Sequence, residues 1–261
     1  MKSVARLCVI LLVAIYCACG TAGLAKDISA ANVAARLYAL KDVIARETTS
    51  ILCTNSFKTS YTTVWRAFED SAITAFCAVL KKHIPDLGAE NFDRGKTGKE
   101  KNRLADLAII CGAEQIEVSV KAARRSANPE NDMGTFREYP TRKKLFADSF
   151  TLWIRYDDSG KTIKCDRVFF DRTWRFVGKS SLVDGVKYRK KDGNMRPKPW
   201  TMFDSGESYW KSERDFEAAV KRSEAYRANE LIKEYLRELN DEDQRLLYEQ
   251  LERKFAKPAH P

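Results

Sequence analysis

The chain has 261 residues, 44% of them hydrophobic, which is enough for a sizeable core and makes disorder the wrong default. Its formal net charge of +10 points to a polyanionic partner, such as nucleic acid or an anionic membrane surface, although basic proteins without one are also common. With only His83 and His260 present, histidine zinc sites, HNH-type cleavage and Ser-His-Asp hydrolysis lack their parts.

Residues 1–25 have the three parts of a secretory signal: Lys2 and Arg6, an apolar run from Leu7 to Ala18, and a small-residue cleavage region ending at Ala25. The run is short for a membrane span. The segment therefore reads as an export signal, leaving +8 after loss of Lys2 and Arg6, with the protein periplasmic or secreted. An uncleaved anchor, or a cytoplasmic protein with a misplaced start, are the other readings. Of the seven cysteines, Cys53, Cys77, Cys111 and Cys165 remain after cleavage; they contain no CxxC, and the apolar runs around Cys77 and Cys111 favour buried thiols.

In chain order, Asp27 to about Cys53 predicts one helix, capped by Ser29, with Val33, Leu37, Leu40 and Ile44 recurring at three and four. A second helix runs from Tyr61 to His83, with Glu69 bordering the apolar face that holds Ile73, Phe76, Val79 and Leu80, and Pro85 follows its end. Gly88 to Arg103 reads as a basic loop containing Lys96 and Lys99, suited to a phosphate backbone or simply solvated. Leu107–Cys111 and Ile116–Val120, separated by Gly112, Ala113 and Glu114, predict a β-hairpin. The period of two sets Ile116, Val118 and Val120 on one face and Glu117, Ser119 and Lys121 on the other, with Asp106 opposite the Ser119 to Lys121 end.

Ala122 to Asp148 is polar and irregular, with Arg124, Arg125, Asn131 and the cluster Arg142, Lys143, Lys144. Ser149–Tyr156 and Thr162–Phe170 form a second hairpin around Asp157-Asp158-Ser159-Gly160. Trp174 to Trp200 interleaves aromatics with Lys190, Lys191 and other basic residues, which suits either stacking on bases or a turn packed by its own tryptophans. From Ser212 to Phe255 two charged helices follow, separated at Asn240-Asp241, with outer faces open to solvent or to a homodimer contact. The order implies an α+β fold: a mixed sheet flanked by helices, with a C-terminal helical element. The division is 1–25 leader, 26–211 core and 212–261 helical extension.

Asp106, then Glu117-Val118-Ser119-Val120-Lys121 across a hairpin, behind a helix that carries Glu69, resembles the PD-(D/E)xK nuclease superfamily. Asn131 to Tyr139 and Tyr188 to Trp200 resemble, more loosely, parts of type II restriction endonucleases. The resemblance implies a restriction-endonuclease-like fold and Mg²⁺-dependent hydrolysis of DNA phosphodiesters. Asp106 and Glu117 would be metal ligands, Lys121 would lie beside the attacking water, and Glu69 would be an accessory ligand. Arg124, Arg125, Lys190 and Lys191, with Lys96, Lys99, Arg142 and Lys143, would meet the nucleic acid. The sequence departs from the pattern at Ser119, where the family has an acid, and at Ala105, where it has proline. The alternative is a noncatalytic nucleic-acid-binding or interaction protein on the same scaffold.

Overall fold

The computed structural model describes residues 29–54, 56–58, 64–94, 106–136, 149–159 and 162–255, without the side chains of 56–58, 64–68 and 251–255. The leader-like segment lies outside them. A six-stranded sheet has the order β1-β6-β5-β4-β3-β2, built from β1 (Ser56–Lys58), β2 (Phe92–Arg94), β3 (Leu107–Cys111), β4 (Glu114–Arg124), β5 (Phe150–Asp157) and β6 (Thr162–Arg172). Every neighbouring pair is antiparallel except β4 and β5, which run parallel, so the sheet is mixed, as expected. Helices flank it: α1 (Ala30–Ala39), α2 (Lys41–Cys53), α3 (Val64–His83), the short α4 (Trp200–Asp204), and the C-terminal α5 (Glu213–Glu238) and α6 (Asp241–Phe255). Among the described residues no helix is long and apolar enough to cross a membrane.

The predicted first helix is two helices. Ser29 caps α1, its hydroxyl accepting from Asn32 N–H at 3.3 Å, but the chain leaves helical geometry at Leu40 (φ −96°, ψ 3°) and restarts at Lys41. The apolar spacing carries across the break: Val33, Leu37 and Ile44 are all buried, so periodicity alone did not reveal it. The loop predicted from Gly88 instead forms a 3₁₀ turn, Ala89–Asn91, and the edge strand β2, held by antiparallel pairing to β3.

Two apolar cores use opposite faces of the sheet. The first packs α1, α2 and α3 against Leu107, Ile109, Ile116, Val118, Phe150, Leu152 and Ile154. The second gathers Trp153 and Phe169 from the other face with Trp174, Trp200, Phe203, Trp210 and Phe216. Alternation along β5 sends Phe150, Leu152 and Ile154 one way and Trp153 the other. In β6 the parity changes: Cys165 and then Val168 and Phe170 share the first core. The pairing register explains it, moving from Arg155↔Arg167 to Tyr156↔Cys165 and leaving Asp166 as the extra residue of a bulge. Asp166 turns out to accept from Arg155 at 2.5 Å and from Arg125 at 3.2 Å.

Trp174, Trp200 and Trp210 are 4 to 6% exposed, so the tryptophans of this region fill the second core. The ribbon between them is tied by the bridges Val177↔Pro197, Lys179↔Val186 and Tyr188↔Met195. α5 enters that core through Phe216, Ala219, Val220 and Ser223, and further along exposes Leu231, Ile232 and Tyr235.

Candidate active site

The hairpin forms as the alternation dictates. Gly112 adopts φ 61° in the turn, and β3 pairs with β4 in the register Leu107↔Val118, Ala108↔Glu117, Ile109↔Ile116. Extending that register sets Asp106 opposite Ser119. Beyond Leu107, β3 supplies no further partner, and the Asp106 carboxylate takes over: its Oδ2 accepts the Val120 N–H at 2.5 Å. A backbone donor of β4, at the point where pairing with β3 ends, thus fixes one carboxylate oxygen next to Lys121.

Glu69 comes to the same place from α3. It lies one turn before Ile73 on the stripe that continues through Phe76 and Leu80, all buried, so the helix aims it inward rather than along the flank. Burial, then the charge of Asp106 and a hydrogen bond with the Asp106 carboxyl, push the Glu69 carboxyl up to about 7, and the Lys121 ammonium opposes the rise. The Glu69 carboxyl therefore keeps its proton up to about neutrality and lies within hydrogen-bonding reach of the Asp106 carboxyl. A cleft of about 220 Å³ is lined by Glu69, Asp106, Val120, Lys121, Ala122 and Asn131.

Of the five residues singled out at the motif, Ser119 included, Glu69, Asp106 and Lys121 are brought together. Glu117 and Ser119 are not among the cleft's walls, although both lie on the Lys121 face of β4. Four strand steps separate Glu117 from Lys121, about 13 Å of backbone, and the Glu117 carboxylate accepts from Gln115 Nε2 at 3.4 Å. Among the described residues no three carboxylate, cysteine or histidine side chains cluster as a metal site. Asn131 is a wall residue that was not singled out as part of the site. Its amide donates to the Ala122 carbonyl at 3.3 Å, and in the sequence it stands at the head of the Asn131 to Tyr139 stretch, in the polar segment after β4.

No family model matches the chain, and no curated protein matches it. Among solved structures, it is similar to NlaIV restriction endonuclease, with a TM-score of 0.46 and 16% identity over 74% of this chain and 78% of that chain. The functional reading therefore stands on the chain's own side chains.

Of the residues expected to meet nucleic acid, Arg124 pairs with Asp158 at 3.0 Å and Arg125 with Asp166 at 3.2 Å, both at the end of β4 beyond Lys121. Lys190 pairs with Glu234, and Lys191 is exposed. Lys96, Lys99, Arg142 and Lys143 lie outside the described residues.

Proposed function

We propose that this cleft hydrolyses DNA phosphodiester bonds with the help of a divalent cation, Mg²⁺ being the first choice. The observation that carries the proposal is the convergence of Glu69, Asp106 and Lys121 from a helix and two strands on one small polar cleft. Two carboxyls close enough to hold a proton between them form a donor set that fits a hard cation, because the cation can replace that proton and relieve their repulsion. Asp106 and Glu69 would hold it. When bound, Mg²⁺ supplies a more acidic water and stabilises charge on a phosphate oxygen.

The chain's own groups do the rest. The Val120 N–H holds Asp106 in one orientation, so the carboxylate need not reorganise. Lys121 brings a positive charge to the side of the cleft where negative charge grows on phosphorus, and its ammonium can orient the attacking water. Asn131 closes the wall with its amide fixed on Ala122. Arg124 and Arg125, immediately beyond, lie where a phosphate backbone leaving the cleft would pass; their own side chains, 47% and 63% exposed, are open to a phosphate.

Cleavage of supercoiled plasmid by the full chain, in Mg²⁺ and in EDTA, tests the reading. Mg²⁺-dependent cutting is expected, with losses of about 100-fold or more in Asp106→Ala and in Lys121→Ala. Glu117→Ala should stay within about tenfold of wild type, because its carboxylate is not a wall of the cleft. Cutting in EDTA, or full activity in both of the first two variants, would sink the proposal. DNA binding without any cutting would favour the noncatalytic alternative.

A further inference from the structure

A second cavity, of about 540 Å³, opens between the bridged ribbon and α5, and none of the cleft residues lines it. Its size falls within the roughly 300–1,000 Å³ of small-molecule sites. Three tyrosines, Tyr188, Tyr209 and Tyr226, line it together with Lys187, Lys190 and Arg227. The tyrosines arrive from three separate places: the ribbon, the segment before α5, and α5 itself. Tyr226 continues the stripe of Phe216, Ala219 and Ser223, so the face of α5 that packs the core becomes the cavity wall one turn later. Tyr188 is held by an edge-on contact with Phe136, ring centroids 5.0 Å apart, which makes it a fixed surface.

The cations of the wall differ in their freedom. Arg227 donates to the carbonyls of Lys190 and Lys191 at 2.8 and 3.1 Å and acts as a structural brace. Lys198 donates to the Glu207 carbonyl and lies over Phe176 and Phe203, so it too is committed. Lys179 pairs with Asp184 at 3.0 Å, and Lys190 with Glu234. Lys187 has no carboxylate partner among the described residues. The one acidic wall residue, Glu230, is itself neutralised by Lys233 at 3.0 Å.

We propose that this cavity binds one nucleotide unit, its base stacked on the tyrosines and its phosphate held by Lys187. Flat π surfaces suit a base of any identity, and an exposed ammonium beside them suits a phosphate. A monophosphate free in solution and a nucleotide extruded from a strand present the same chemistry, so the site serves either. It is a binding site apart from the cleft, and its occupancy needs neither the divalent cation nor hydrolysis.

The test is calorimetric titration of the full chain with a deoxynucleoside 5′-monophosphate, the matching nucleoside and inorganic phosphate, in EDTA. The monophosphate should bind at least about tenfold more tightly than either part alone, since each part forfeits one set of contacts. Lys187→Ala and Tyr209→Ala, both at exposed positions, should each weaken it about tenfold, and Asp106→Ala should leave it unchanged. Equal affinity for inorganic phosphate, no binding, or full affinity in both of the first two variants would overturn the proposal. A 2-aminopurine duplex separates the sources: a Lys187-dependent fluorescence rise marks an extruded base, and monophosphate binding without that rise marks a free nucleotide. Because Asp106→Ala and EDTA silence the cleft but not this site, failure here and failure of the nuclease reading are told apart.

Discussion

Glu69 occupies a position on α3 where the helix's buried stripe would accept another apolar residue, and instead faces Asp106. The cost has a sign in pH. Its carboxyl titrates near 7 in the fold rather than near 4.5, so the native state holds the proton more tightly than the unfolded chain does. That contribution to stability is complete below about 4.5 and is lost as pH rises through about 7. Glu69→Gln, neutral at every pH, should therefore be more stable than wild type at pH 8 by about 1–3 kcal/mol, with the advantage vanishing near pH 4.5. Thermal melts in EDTA at the two pH values check it; an advantage of the same size at both would mean the effect is packing rather than charge. The sequence carried Asp106 and Lys121 in plain view because period two and a glycine turn fix a hairpin's register. It carried Glu69 only as a border residue, since its partner lies 37 positions away, and it overrated Glu117, which shares a strand face with Lys121 but not the cleft.

At the scale of elements, long periodic segments were legible and short ones were not. β3 to β6, α3, α5 and α6 stand where their patterns put them. β1 and β2, three residues each, are strands only because β6 and β3 offer them hydrogen bonds, and no local pattern announces that. The ribbon's tryptophans are core residues because Trp153 and Phe169, far off in sequence, give them something to pack on. The docking of α5 is as specific as the sheet. A Cβ on Gly185 would lie 2.1 Å from Ser223 Oγ and 2.9 Å from the Ala219 carbonyl oxygen, while Ser223 donates to the Val186 carbonyl at 3.2 Å. Gly185→Ala should push the helix off the ribbon and destabilise by about 1–3 kcal/mol, visible as a lower urea midpoint. Gly206→Ala, at a position where a Cβ would have nothing within 4 Å, serves as the control for clash; it carries only the strain of φ +72°.

For the whole molecule, two cores back onto one sheet and neither owns it. Phe169 faces one and Phe170 the other, on consecutive residues of β6. Four of the five tryptophans, Trp153, Trp174, Trp200 and Trp210, belong to the second core, so their fluorescence reports one side, whereas helical circular dichroism draws on both, through α1 to α3 on the first side and α5 on the second. Removing Phe170, which stacks on Phe150 at 5.2 Å, should cost about 3–5 kcal/mol on the first side. In Phe170→Ala both signals should shift to the same lower midpoint. Midpoints that separate would show the two halves unfolding independently.

The strand-to-ribbon connection after β4 has a consequence of its own. Asn131 lines the cleft and Asn128 lines the cavity between the ribbon and α5, three residues apart on a segment pinned by Trp200 Nε1–H, which donates to the carbonyls of Arg124 and Ala127 at 2.9 and 2.8 Å. Three residues of chain span at most about 10 Å, close to three steps of about 3.4 Å along a nucleic acid strand. A molecule that grips one nucleotide in the cavity and cuts in the cleft would be a ruler: the distance from the gripped base to the break would be set by a peptide of fixed length, and one inserted residue between Asn128 and Asn131 would move the mark.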